Sequence, residues 1–110
     1  MLDENKFIPI FMLRRVVLDV LKPHNPGILE LSEKLCKVRG IDGVNIITYE
    51  IDKEVENVKI VIEGRNINFE KVKKILEDSG AAIHSIDEVA AGKKIVEEVR
   101  TPQDRAVWLR

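Results

Sequence analysis

Residues 13–27 read "LRRVVLDVLKPHNPG", and this stretch decides how the remainder of the chain is arranged. Through Lys22 it is β-branched and apolar, the composition of a strand. "PHNPG" then breaks the strand. Asn25 is suited to cap a helix N-terminus, with Pro26 as the first helical residue. Ile28, Leu31, Leu35 and Val38 follow at helical spacing and Gly40 supplies a stop, so the spacing predicts a helix over 26–39.

Working outward, "VNIITYEID" (44–52) predicts a second strand, "KEVEN" a polar turn and "VKIVIEG" (58–64) a third strand. Asn68 caps a second helix, with Ile67 and Val72 placed as a hydrophobic staple. Val72, Ile75 and Leu76 form its buried stripe and Gly80 ends it. "GAAIHSIDEVAAGKK" (80–94) supplies a fourth strand. The order is β-α-β-β-α-β with short connections. Two right-handed crossovers then give an antiparallel sheet in the order 4-1-3-2 with both helices on one face. The predicted class is α+β, a ferredoxin-like sandwich.

The first strand carries two apolar rows. Val16, Leu18 and Val20 point to one face; Val17 and Leu21 point to the other, alternating there with Arg15 and Asp19. A sheet covered on one side alternates apolar with polar residues. Each fully buried Val or Leu contributes about 1.5–3 kcal/mol, a large share of a small domain's stability. The second row therefore predicts a second cover. Another copy of the chain is the simplest one, making Val17 and Leu21 interface residues; the alternative is that residues 1–12 or 95–110 fold back. Thr101, Pro102 and Asp104 have the spacing of a helix start; for Trp108 and Leu109 beyond them the alternatives are terminal disorder and anchoring on a neighbouring subunit as interface residues. The chain thus divides into an extension (1–12), a domain (13–94) and a tail (95–110).

With 110 residues, 45% apolar and 34% charged, the chain is of one-domain length and globular in composition. A net charge of −1 gives no broad pull toward nucleic acid or an anionic membrane. The single Cys36 cannot form an intrachain disulfide, which suits a reducing cytoplasm. "FIPIFML" (7–13) is apolar but far short of the roughly 20 residues of a membrane helix, and no basic region precedes it.

Candidate chemistry centres on the fourth strand. In this topology Asp19 falls near Ser85 to Asp87, and Arg15 near Asp87 to Val89. Strict alternation puts His84 and Glu88 on one face and Asp87 on the other, unless a bulge intervenes. Carboxylates about 4 Å apart repel by roughly 1–4 kcal/mol, which an Arg15 counterion or a divalent cation relieves. Oxygen ligands from Asp19, Asp87 and Glu88 favour calcium or magnesium over zinc. His84 reads as a hydrogen-bonded structural residue, and His24 as a capping or solvated one. "DKEVEN" (52–57) lacks the spacing of a calcium loop.

Other readings fail on specific absences. The third strand has no aromatic residue for stacking bases. There is no cysteine pair for heavy-metal transfer, and "AGKK" (91–94) lacks the flanking glycine loop and helix of a phosphate site. Ser85 points away from His84, and no other nucleophile has a base at a recognisable spacing. No catalytic residue is expected.

From Leu13 to Asp104 the sequence resembles an archaeal family known as domain of unknown function 211, through "LRRVVLDVLKPHNP", "GVNIITYEID", "IEGRNINFEKVKKILEDSGAAIHSIDEVAAGKK" and "VEEVRTPQD". The resemblance implies a ferredoxin-like fold and homo-oligomers, and transfers no activity. "HNPGIL" (24–29) is more loosely similar to the ligand-binding junction of ACT domains. That likeness implies Asn25 and Gly27 as ligand contacts, where backbone and helix N–H groups meet a carboxylate. The expected protein is a cytoplasmic, homo-oligomeric, non-enzymatic structural or regulatory binding module. The alternatives are a calcium- or magnesium-binding protein and a small-molecule sensor.

Overall fold

Burial of one side of the first strand organises the sheet. The computed structural model describes residues 12–104. Six elements follow in chain order: β1 (Leu13–Pro23), α1 (Ile28–Cys36), β2 (Ile41–Ile51), β3 (Val55–Gly64), α2 (Phe69–Asp78) and β4 (Ala82–Ala91). All neighbouring strands are antiparallel, and the sheet order is β2-β3-β1-β4. This is the ferredoxin-like arrangement expected from the sequence. Val16, Leu18 and Val20 of β1 lie with Val58, Ile60 and Ile62 of β3 beneath Leu31 and Leu35 of α1 and Val72 and Leu76 of α2.

The same β1 row ends on a cation. Lys22 is 1% exposed. Its ammonium donates to the Pro23 carbonyl at 2.7 Å and pairs with Glu56 at 3.1 Å, so the buried charge is met by two acceptors. At the other end of β1, Arg14 donates to the carbonyls of Gly64 (2.9 Å) and Lys93 (2.7 Å), tying the ends of β3 and β4 together.

Several boundaries differ from the sequence reading for local reasons. α1 begins at Ile28 behind Gly27, which is its N-cap and makes no side-chain cap bond. Asn25 and Pro26 lie outside the helix, joined by a cis peptide. Before the helix, His24 contacts the β2–β3 hairpin through Glu56 and the Lys53 carbonyl. The hairpin itself is tighter than "KEVEN" suggests. The Asp52 carboxylate accepts from the N–H groups of Glu54 and Val55, and the Asp52 N–H donates to the Val55 carbonyl. This Asx-type turn leaves only 52–54 between the strands.

α2 starts as expected, with the Asn68 side chain accepting from the Lys71 N–H, and Ile67 and Val72 are both buried. Thr101 also behaves as read: its N–H and hydroxyl both donate to the Asp104 carboxylate, at 2.7 and 3.0 Å.

One backbone contact tolerates only glycine. A Cβ on Gly64 would lie 2.0 Å from the Gly40 carbonyl oxygen, and Gly40 itself sits at φ +93°. Gly64→Ala is therefore expected to lower stability by at least about 1–3 kcal/mol, because backbone on both sides must move. Urea denaturation checks this; an unchanged midpoint would contradict the close approach.

Candidate functional site

The helix-free face of the sheet collects most of the candidate residues. β1 contributes Arg15, Val17, Asp19 and Leu21, opposite Glu63, Val61, Lys59 and Asn57 of β3. On the other side of β1, Val17 pairs with Glu88 and Leu18 with Ile86, so Asp87 is the extra residue of a bulge. A second shift, between Asp19–Ser85 and Val20–Ile83, makes His84 extra as well. The bulge at Asp87 interrupts strict alternation. Asp87 and Glu88, expected on opposite faces without a bulge, line one shallow basin of about 590 Å³ with Arg15, Val17, Asp19 and Tyr49. Arg15 pairs with Ala90, one residue beyond the expected range.

Arg15 is the electrostatic centre of this basin. Its Nε donates to Glu63 at 2.7 Å, and Nη1 and Nη2 donate to the two oxygens of Glu97 at 2.9 and 3.1 Å. Glu88 lies 3.7 Å from Nη1. The bidentate guanidinium holds the Glu97 carboxyl below its ordinary range, and donating to Glu97 and Glu63 raises the guanidinium's own pKa. Through Glu97 the segment after β4 comes back to this face, and Glu98 also lines the basin.

Asp19 accepts from the Asn57 amide at 2.5 Å, and Asp87 accepts from the Ser85 hydroxyl at 2.7 Å. Asp19, Asp87 and Glu88 thus share a basin while each faces a different neighbour. Among the described residues, no three His, Cys, Asp or Glu side chains converge in a geometry that could hold a metal ion.

The apolar row needs a correction. Val17 is only 8% exposed within a single chain, so its burial does not require another copy. It lies between Val61 of β3 and Glu88 of β4 in register. Leu21 is 39% exposed. Ile47, Tyr49 and Val55 are also exposed toward the hairpin, interspersed with Asn57 and Lys59 of β3. Trp108 and Leu109 lie outside the described residues. Asn25 and Gly27 are exposed in the loop before α1, on no shared site with the carboxylates; a Cβ on Gly27 would meet nothing within 4 Å.

The bulged β4, the β1 exit and the Thr101 turn all fall within one matched region: a family profile covers residues 14–105, that of domain of unknown function 211, described as uncharacterized ArCR. The chain belongs to this family. Uncharacterized protein MJ0319 of Methanocaldococcus jannaschii is 62% identical over 93 residues, which is 84% of this chain and 96% of that protein. Among the described residues, no helix of this family member is long and apolar enough to cross a membrane.

Sequence reasoning missed one cluster in this domain of unknown function 211 protein. Lys22, Glu56 and His24 meet where β1 leaves the sheet, with His24 Nδ1 2.9 Å from Glu56 Oε2. A signal existed: Lys22 occupies an apolar row at i, i+2 spacing, where a buried cation requires a partner. The partner lay in the segment read as a turn.

The Arg15–Glu97 bridge makes a direct prediction. Arg15→Gln removes both bonds to Glu97 and should raise amide hydrogen exchange at residues 96–100 severalfold, with β3 protection retained. Unchanged exchange in that segment would mean that something else holds it to the sheet.

Proposed function

We propose that this protein is a non-enzymatic, self-assembling binding module of the cytoplasm, in which a second copy of the chain covers the hairpin end of the helix-free face. The observation that carries this reading is the exposed group Leu21, Ile47, Tyr49 and Val55, of which Tyr49 is 59% exposed. Apolar side chains gathered on one face of a small sheet gain stability when a matching face excludes water. The adjoining charges carry both signs, Arg15 and Lys59 against Glu63, Asp87 and Glu88, which suits a surface that meets its own copy in a two-fold contact. No catalysis is assigned: the basin is shallow, and the Ser85 hydroxyl donates to Asp87 on an exposed strand.

Light scattering coupled to gel filtration tests the reading. The expected mass is a multiple of 12.6 kDa, and the double variant Leu21→Asp, Ile47→Lys should fall to 12.6 kDa with its circular dichroism unchanged. A wild-type species of 12.6 kDa at every concentration up to the millimolar range would overturn it.

A further inference from the structure

The cluster at the β1 exit contains a histidine whose two contacts constrain its protonation. His24 Nδ1 lies 2.9 Å from Glu56 Oε2, and His24 Nε2 lies 3.0 Å from the Lys53 carbonyl oxygen. A carboxylate and a carbonyl both only accept. A neutral imidazole has one N–H and can satisfy one of them; an imidazolium has two and satisfies both. Glu56 is fixed independently of the ring, because its other oxygen receives the ammonium of buried Lys22 at 3.1 Å and the two residues are register partners across β1 and β3. Lys53 lies in the turn that the Asp52 carboxylate closes. The ring therefore spans two separately anchored acceptors, one on β3 and one on the hairpin tip.

We propose that His24 is a proton-operated clasp: as imidazolium it ties the loop after β1 to the hairpin turn 52–54, and on losing one proton it releases the turn. The charged groups around it are Glu56 on β3, Lys22 on β1, and Asp52 and Lys53 in the turn. Glu56 sets the direction. Its hydrogen bond is the largest influence raising the imidazole above its ordinary 6.5, followed by the Lys53 carbonyl. Reciprocally, His24 and then Lys22 hold the Glu56 carboxyl below its ordinary range. A histidine raised in the folded state adds stability that is complete below pH 6.5 and is lost as pH rises through the raised folded value. The charge-assisted bond to Glu56 is the stronger of the two, so the neutral ring keeps its proton on Nδ1 and the Lys53 carbonyl is the group let go. The hairpin tip is tied to the loop after β1 toward acid pH and loses that tie toward alkaline pH, while the Asp52 bonds keep the turn itself closed.

The inference does not rest on self-assembly, because its readouts are local to one chain. Long-range nitrogen–proton NMR on the wild-type protein reads the ring directly. The expected result is an imidazolium that titrates above pH 6.5 and becomes the Nδ1–H tautomer. Amide exchange at 53–55, corrected for its intrinsic pH dependence, should accelerate about two- to fivefold across that titration, the range of a partly exposed ion pair. His24→Gln should abolish this acceleration, and His84→Gln should leave it intact. A His24 ring that titrates at or below 6.5, a neutral ring protonated on Nε2, or hairpin exchange with the same pH dependence in His24→Gln would each overturn the proposal.

Discussion

Strand β1 has a hydrogen-bonded neighbour along each edge, so its backbone is fully committed and its side chains must suit two unlike surroundings. On one side, Val16, Leu18 and Val20 are sealed beneath the helices. On the other, Arg15, Val17, Asp19 and Leu21 look away from them. The fold follows from the first row: an antiparallel sheet with its centre buried on one side requires two helices with apolar stripes, and α1 and α2 supply them at 3.6-residue spacing. The second row carries the candidate chemistry.

Charge on that second face is arranged by a single guanidinium. Arg15 meets Glu63, Glu88 and Glu97 from three different parts of the chain, so one side chain relieves the repulsion that three carboxylates would otherwise suffer. The planar fork suits this role, because it offers donors in several directions without a change of rotamer. Toward the hairpin, exposed Leu21, Ile47 and Tyr49 instead alternate with Asn57 and Lys59.

Element order and sheet order were legible because they depend on periodicity, which a sequence displays directly. Leu31 with Leu35, and Val72 with Leu76, mark the buried stripes of the helices by spacing alone. Three features were not legible because each depends on a partner distant in sequence. The place of the bulge at Asp87 is set by pairing with Val17 and Leu18. The contacts of His24 are with Glu56 and Lys53, about 30 residues away in sequence. Glu56 itself read as part of a polar turn, since nothing local reveals that it stands opposite Lys22. The second apolar row was visible, but not that Val17 is buried within a single chain, where an external cover is not required.

The strand irregularities are distributed unevenly. The inner pairing of β1 with β3 runs without a break from Arg15 to Pro23, whereas β4 slips against β1 and β2 slips against β3. The outermost strands are thus the kinked ones. A kinked margin offers a poor template for an incoming backbone, since donors and acceptors fall out of step after a few residues. Open-ended ribbon growth by strand addition is disfavoured at both margins, and any specific contact between copies is directed to side chains rather than to the exposed main chain.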